Sequence, residues 1–128
     1  MASDLPLAIR KENGRLFTAL GAPVYRLVHP LTVGSDRLGV SMCEMAPGDE
    51  VRRHSHDYEE AYYVVEGTGV MTLEGEGEIR LEPDLAVYVP PGRVHGQRND
   101  GDGPLRILCS LSPPPVEGDP PRFAEEPA

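Results

Sequence analysis

The chain has 128 residues and a formal net charge of −9 at pH 7. That length suits a single domain with a buried hydrophobic core, and the negative charge disfavours nucleic acid as a partner, because phosphates require a basic surface. No apolar run reaches the roughly 18 residues that a membrane-spanning helix needs. The N-terminal residues lack the basic and apolar stretches of a signal peptide, so we expect none.

Composition separates three regions along the chain. Residues 1–35 are predicted to form a polar N-terminal arm and short strands that join the main body, among them residues 24–28 (VYRLV). Residues 36–112 contain most of the short apolar runs, which predicts the core of the domain. Residues 113–128 are rich in proline and acidic residues. That composition cannot build a packed element by itself, so an extended or disordered tail is expected.

Short apolar runs separated by glycine and proline, 14 of each in the chain, predict strands rather than helices. The segments of the central region that read as strands are Leu38–Met45, Val51–His56, Glu60–Glu66, Val70–Leu73, Ile79–Leu81, Leu85–Val89, His95–Asn99 and Leu105–Leu111. Their length and spacing indicate an all-β, antiparallel sandwich or barrel. Residues 85–89 (LAVYV) are apolar throughout, which predicts burial on both faces of that strand.

Two cysteines, Cys43 and Cys109, lie within apolar strand-like runs. Reduced thiols in the core are the simplest interpretation, and a cytoplasmic location fits that state. A disulfide between the two cysteines is also compatible with the sequence.

The most informative stretch runs from Gly48 to Gly67. His54 and His56 are two residues apart, so in a strand both imidazoles point to the same face, with Cα atoms roughly 6.6 Å apart. Two imidazoles at this spacing can bind one metal ion. After a short turn, Glu60 returns at the start of the next strand, and His95 opens a later strand that can lie beside the first histidine pair.

Three neutral imidazoles and one carboxylate suit a divalent transition-metal ion such as Fe, Mn, Co, Ni, Cu or Zn, and are unsuited to Ca²⁺. Such a set leaves coordination positions open for a substrate. Each part of the pattern is weak alone, because an HxH pair is commonly two surface histidines and PxGxxH is commonly a turn followed by a histidine. Their joint occurrence carries the prediction of a metal site.

Together these stretches resemble the two sequence signatures of the cupin superfamily. The first, Gly-x5-His-x-His-x3-Glu-x6-Gly, is met by Gly48, His54, His56, Glu60 and Gly67. The second, Gly-x5-Pro-x-Gly-x2-His-x3-Asn, is met by Pro90, Gly92, His95 and Asn99. Asp84 replaces its first glycine. Because aspartate tolerates turn geometry, we expect this departure to leave the metal site unaffected.

The resemblance covers about residues 38–111. It implies a double-stranded β-helix, or jelly-roll, barrel, and it often implies a homodimer. It also implies one divalent metal ion held by four residues, which are His54, His56, Glu60 and His95.

Strand alternation suggests which side chains could touch a small-molecule substrate beside the metal. Tyr62 shares a face with Glu60, Gln97 shares one with His95, and Arg52 shares one with His54 if that strand is regular. Arginine could bind a carboxylate or phosphate, and tyrosine could donate a proton. Equally, Tyr62 could be a packed wall residue, and Arg52 could extend into solvent or pair with a neighbouring acid.

Several functions fit this pattern. The first is a metal-dependent enzyme in which the ion acts as a Lewis acid in redox-neutral isomerisation, cyclisation or elimination of a small oxygenated metabolite; small cupins that this chain resembles include sugar-processing isomerases and polyketide cyclases. The alternatives are a metal-dependent dioxygenase and a non-catalytic small-ligand-binding protein. A regulatory sensor is disfavoured, because no DNA-binding helices accompany the predicted barrel.

Overall fold

The structure is a computed structural model that describes residues 4–115 and 122–124. These residues form one short 3₁₀ helix, η1 (Lys11–Asn13), and eleven strands. The strands are β1 (Arg15–Phe17), β2 (Val24–Val28), β3 (Gly39–Met45), β4 (Glu50–Ser55), β5 (Glu59–Glu66), β6 (Gly69–Leu73), β7 (Gly77–Leu81), β8 (Ala86–Val89), β9 (His95–Arg98), β10 (Leu105–Ser112) and β11 (Arg122–Phe123).

The strands build two antiparallel sheets. One sheet has six strands in the order β1-β2-β3-β10-β5-β8, and the other has five in the order β11-β4-β9-β6-β7. From β3 to β6 successive strands alternate between the two sheets, so most neighbours within a sheet are distant in sequence. This topology confirms the all-β, double-stranded β-helix fold predicted from the sequence, although the two sheets do not close into a strict barrel.

The hydrophobic core lies between the inner faces of the two sheets. Val64 and Ile107 from the six-stranded sheet and Met71 and Leu81 from the five-stranded sheet belong to one buried cluster, and each is 0% exposed. Burying a side chain of this size stabilises the fold by about 1.5–3 kcal/mol. The core therefore holds the sheets at a fixed separation, which positions the polar side chains between them.

The predicted burial of one strand, residues 85–89, was wrong. In β8, Val87 and Val89 are buried, whereas Ala86 and Tyr88 are exposed. Strand β8 lies at the edge of the six-stranded sheet, and its outer face has no second layer of secondary structure over it among the described residues. The apolar run therefore has one set of side chains that faces the core and one that faces solvent. On the solvent side, the Tyr88 hydroxyl donates a hydrogen bond to Glu59 (2.9 Å).

The turn that carries Asp84 adopts the geometry expected of the glycine it replaces. Asp84 has a φ of 73°, in the left-handed region that aspartate visits more readily than most residues. Its carboxylate accepts a hydrogen bond of 2.5 Å from the Tyr63 hydroxyl. The turn therefore accommodates Asp84 at the position where the second signature has glycine.

Asn99 ties two turns together. It is buried, and its side-chain amide donates hydrogen bonds to the carbonyls of Met45 (2.9 Å) and Gly103 (2.8 Å). Its side-chain oxygen accepts a bond from the Gly101 amide (2.9 Å). These bonds connect the end of β3 to the loop that follows β9, so the asparagine of the second signature has a structural role.

Strand β4 contains a bulge. Val51 pairs with Gln97 and His54 pairs with His95, so three steps along β4 match two steps along β9. The irregular register places both Val51 and His54 in the buried interior and leaves Arg52 and Arg53 exposed. A bulge of this kind re-aims a side chain that regular alternation would have sent to the other face.

The end of the chain returns to the edge of the five-stranded sheet. In β11, Phe123 pairs with His54 of β4, and the Ala124 amide donates to the Arg53 carbonyl (2.9 Å). The expected extended or disordered tail falls partly on residues 116–121 and 125–128, which lie outside the described residues. Cys43 and Cys109 are both free and buried, which confirms the expectation of reduced core thiols.

Within the described ranges the single helix is three residues long and cannot cross a membrane. The homodimer and the cytoplasmic location stay predictions.

The two glycines of the first signature should differ in their contribution to stability. Both have a positive φ, 89° at Gly48 and 87° at Gly67. A Cβ on Gly67 would lie 2.1 Å from the Pro104 carbonyl oxygen, whereas one on Gly48 would meet nothing within 4 Å. We expect Gly48→Ala to lower the free energy of unfolding by about 1–2 kcal/mol through backbone strain alone. Gly67→Ala should cost about 1–3 kcal/mol more.

Denaturant unfolding of both variants measures this difference, with Gly48→Ala as the matched control. Equal losses in the two variants would contradict the close backbone approach at Gly67.

Candidate metal centre

Three histidines converge between the two sheets. His54 near the end of β4 lies directly opposite His95, the first residue of β9, and His56 follows immediately after β4. One ring nitrogen from each histidine lies within 4.8 Å of one from each of the others. His54 and His95 are buried, at 3% and 0% exposure. Pairing of β4 with β9 therefore assembles the two parts of the sequence pattern into one cluster.

Each imidazole is oriented by its own backbone. The Nδ1–H group of each ring donates to a main-chain carbonyl two residues away in sequence, since a carbonyl can only accept. The pairs are His54 to Arg52 (2.7 Å), His56 to Tyr58 (3.1 Å) and His95 to Arg93 (2.9 Å). With Nδ1 bonded to the backbone, Nε2 is the nitrogen of each ring that faces the cluster, where it would bind a metal ion. Such hydrogen bonds are typical of histidines that bind metals.

Glu60, the second residue of β5, lies beside two of the rings. Its Oε1 atom is 3.0 Å from the Nε2 atom of His56 and 3.6 Å from that of His95. Burial by itself acts to raise the pKa of this carboxyl group, but the neighbouring His56 and His95 imidazoles hold it below its ordinary value. The structure therefore places an ionised carboxylate next to the histidine cluster, where the sequence predicted a fourth ligand.

The electrostatic environment keeps His54 in the form that can bind a metal. Burial, followed by the nearby His95 imidazole, lowers the pKa of His54 to about 4. The ring therefore remains neutral at physiological pH, as a metal ligand must be.

The donor atoms fit a divalent transition-metal ion. The Nε2 atom of His95 is buried and makes no hydrogen bond within the described part of the chain. Leaving a buried polar atom without a partner costs about 1–3 kcal/mol, and a cation at the cluster would supply that partner. Three imidazole nitrogens with a carboxylate oxygen are the ligands that borderline ions such as Zn or Fe prefer.

The cluster opens into a cavity of about 510 Å³. Its described lining residues are Phe17, Leu20, Arg26, His54, Ser55, His56, Asp57, Tyr58, Pro113, Pro114, Pro115 and Arg122. A smaller inner chamber of about 50 Å³ lies on the core side and shares six of these residues. We call the shared region, formed by Phe17, Leu20, Arg26, His54, Tyr58 and Pro115, the neck.

Tyr62 and Gln97, two of the predicted substrate contacts, line the inner chamber. Both are buried, and the Tyr62 hydroxyl donates to the Gln97 side-chain oxygen at 3.4 Å. The Tyr62 ring also packs edge-on against His95, with centroids 5.9 Å apart. Burial, with a smaller effect of Glu60, raises the pKa of Tyr62 well above its usual value. The prediction from strand alternation therefore gave the correct location of both side chains, near the cluster. Their role in catalysis stays a prediction.

The structure does not bring Arg52, the third predicted contact, to the site. Its side chain is exposed and lies over the ring of Phe123, with the guanidinium carbon 3.8 Å from the ring centroid. The expectation assumed a regular strand, and the bulge in β4 breaks the alternation between Arg52 and His54.

Sequence reasoning missed Arg26 and Tyr58, which both line the cavity and the inner chamber. Arg26 lies in β2, where its register opposite Ser41 of β3 turns it toward the interior. Tyr58 lies in the irregular link between β4 and β5, where no periodicity indicates direction. The sequence held one usable signal, the position of Tyr58 between His56 and Glu60.

The fold and the clustered histidines define a double-stranded β-helix protein with a candidate metal site. The cupin domain family model matches residues 41–111, more than half of the chain. The protein therefore belongs to the cupin family.

Two Streptomyces proteins are similar in sequence. The chain is 36% identical over 94 residues to the tetracenomycin polyketide synthase protein TcmJ of Streptomyces glaucescens, covering 73% of this chain and 62% of that protein. It is 35% identical over 105 residues to the polyketide synthase CurC of Streptomyces cyaneus, covering 81% and 62%. The chain thus spans about three fifths of the length of these two relatives.

The polyketide cyclase RemF of Streptomyces resistomycificus has a similar structure. The match has a TM-score of 0.75 at 22% identity, and it covers 93% of this chain and 85% of that chain. At this identity the similarity shows the shared fold.

Removing one imidazole should weaken metal binding. We expect His56→Ala and His95→Ala each to lower the affinity for Zn²⁺ by about tenfold or more, because each removes one of the converging nitrogens. Elemental analysis after dialysis against free Zn²⁺ held near the wild-type dissociation constant measures the change as lost occupancy. His29→Ala is the control, since His29 is buried elsewhere and bonds the Pro115 carbonyl (2.8 Å). Full stoichiometric metal in both cluster variants would show that the site is assigned wrongly.

Proposed function

We propose that this cupin is a metal-dependent enzyme that cyclises or isomerises a small, oxygenated, polyketide-type substrate by redox-neutral chemistry. The observation that carries the proposal is the set of three imidazoles, each oriented by a backbone carbonyl, at a cavity of about 510 Å³. The names of TcmJ and CurC support the substrate class, because each refers to a polyketide synthase.

The proposed ligands are His54, His56, His95 and Glu60. When bound, a divalent ion would supply Lewis acidity that stabilises negative charge on a substrate carbonyl or enolate oxygen. The four side chains contribute a single negative charge between them, so the site would keep a net positive charge toward the substrate. The backbone hydrogen bonds to the rings fix this arrangement before substrate arrives, as electrostatic preorganisation requires.

The cavity walls suit a small organic molecule with both apolar and polar groups. Phe17, Leu20 and Tyr58 provide apolar and aromatic surface on one part of the wall, and residues 113–115 provide a rigid run of three prolines. Arg26 adds a positively charged side chain to the wall. The volume lies within the range of about 300–1,000 Å³ that small organic ligands occupy. Such walls would hold a flexible chain of carbonyl groups in one folded shape and exclude water from it.

The proposed reaction needs no oxidant. In an aldol cyclisation the C–H bond between two carbonyl groups breaks, the carbon forms a bond to a third carbonyl carbon, and the resulting alkoxide takes up a proton. Loss of water then gives an unsaturated ring. The two core thiols have no place in this sequence, because burial raises the pKa of Cys43 to about 12 and that of Cys109 well above its usual value.

Reconstitution tests the proposal. A minimal aromatic polyketide synthase supplied with malonyl units makes a nascent poly-β-ketone chain, which cyclises spontaneously to a mixture. We expect the metal-loaded protein to shift this mixture toward one product whose mass differs from the uncyclised chain only by lost water. The shift should disappear after metal removal, which takes away the charge that stabilises the enolate, and it should weaken in His56→Ala, which lowers metal occupancy.

Liquid chromatography with mass spectrometry follows the products, and an oxygen electrode runs in parallel. An unchanged product mixture would refute cyclase activity. Oxygen uptake with oxygen-containing products would instead identify a dioxygenase.

A further inference from the structure

The outer face of the six-stranded sheet carries uncharged side chains in rows that cross its strands. Inward and outward residues alternate along β5, β8 and β10, and the strand register aligns the outward ones. One row crosses all six strands, and its members are Ala86, Tyr63, Leu108, Met42, Tyr25 and Leu16. The row beside it consists of Tyr88, Ala61, Ser110 and Val40. We call these two rows, together with Val65 of β5, the outer patch.

Much of the outer patch is exposed to solvent. Tyr63 and Val65 are each 42% exposed, and Tyr88 is 55% exposed. At the opposite end of the patch, η1 lies over β2, with the Lys11 amine 5.0 Å from the centroid of the Tyr25 ring. Single exposed apolar residues are ordinary on a protein surface, whereas a contiguous apolar patch marks a surface that another molecule covers.

The two exposed tyrosines of the patch can be covered without losing a hydrogen bond. The Tyr63 hydroxyl donates to Asp84 (2.5 Å), and the Tyr88 hydroxyl donates to Glu59 (2.9 Å). Both acceptors belong to the same chain, so a partner need not supply one. Covering these rings therefore removes apolar surface from water and leaves no hydroxyl donor without a partner.

The charged side chains that border the patch offset one another. Arg106 donates to Glu44 (2.9 Å) and lies 4.0 Å from Glu66. Lys11 pairs with the same Glu44 at 2.8 Å. This border is balanced although the whole chain has a net charge of −9. It gives a strongly basic or acidic partner little to attract it, and it is a surface on which two acidic copies of this chain can meet with little repulsion.

The size and shape of the face suit a second copy. Six strands span about 24 Å across and about 20 Å along the strands, which is roughly 500 Å² in projection. A standard interface buries about 800 Å² on each partner when the relief of side chains is included. A groove of about 190 Å³ lies between Leu38 and Tyr88, above the small side chains of Ala61 and Ser110. A face with projecting rings and a groove can fit its own copy.

We propose that the outer patch binds a second copy of this chain, face to face, in a two-fold symmetric dimer. Tyr63, Val65 and Tyr88 form the apolar centre of the contact, and the offset charges lie at its rim, as in other homodimer interfaces. The histidine cluster lies on the inner side of the sheet, since Glu60 alternates with Ala61 along β5. The contact therefore requires neither metal nor substrate, and it is independent of the proposed function.

Sedimentation equilibrium of the full chain as purified tests the dimer. We expect a mass of twice the 13.9 kDa of one chain, with a dissociation constant of about 1 μM or lower. The dimer should persist in about 1 M NaCl, because burial of apolar surface is not screened by salt, whereas a contact held by charges would weaken.

Two substitutions in the centre of the patch should separate the copies. We expect Val65→Lys and Tyr88→Lys each to raise the dissociation constant about a hundredfold or more, because two-fold symmetry places each new charge in the apolar centre twice. Circular dichroism should show a folded monomer, since both positions are exposed in the single chain. Thr72→Lys is the matched control: it makes the same charge change on the outer face of the five-stranded sheet and should leave the dissociation constant unchanged.

Three results would overturn the inference. If the wild-type chain sediments as a monomer at about 10 μM, the patch is bare or is covered by a different protein. If a dimer forms but neither Val65→Lys nor Tyr88→Lys weakens it, the copies meet through another surface, such as the edge of β8. If Thr72→Lys weakens the dimer as much as they do, or if the wild-type dimer dissociates in salt, an apolar contact at this patch is excluded.

Discussion

The site depends on the pairing of β4 with β9. This pairing places His54 opposite His95, although the two residues are about forty positions apart in sequence. The bulge between Val51 and His54 is part of the same constraint, because without it one of these two side chains would leave the interior. The buried core on either side of the strands then holds the pair rigidly. The convergence of the histidines at the candidate metal site is thus a consequence of strand register.

Residues close to each histidine in sequence fix the orientation of its ring. Each histidine bonds a carbonyl two residues away, and the stacking of Tyr58 on His56 closes the link between β4 and β5. The cluster therefore does not rely on distant side chains to set its tautomers. A site organised in this way can tolerate changes in the surrounding wall, provided that β4 and β9 keep their register.

Most of the fold could be predicted from the sequence because strand boundaries coincide with glycine and proline turns and because most strands alternate cleanly. Tyr62 and Gln97 were placed correctly near the cluster for the same reason. Arg52 was not, because a bulge inserts one residue and leaves no mark in the hydrophobic pattern. Tyr58 and Arg26 escaped prediction because the first lies in an irregular link and the second depends on the register of β2 with β3. Burial on both faces of residues 85–89 was wrong because the outer face of this part of the six-stranded sheet faces solvent, as the same alternation in β5 shows.

The origin of the cavity wall has an evolutionary consequence. All four proposed ligands come from the middle of the chain, whereas Phe17, Leu20 and Arg26 come from its first quarter and residues 113–115 and Arg122 come from its end. Substitution or insertion in those outer segments can therefore reshape the mouth while the segment that carries the proposed ligands stays unchanged. The fold thus places the histidine cluster and most of the surrounding wall on separate segments of the chain, so that the mouth can be remodelled without rebuilding the centre.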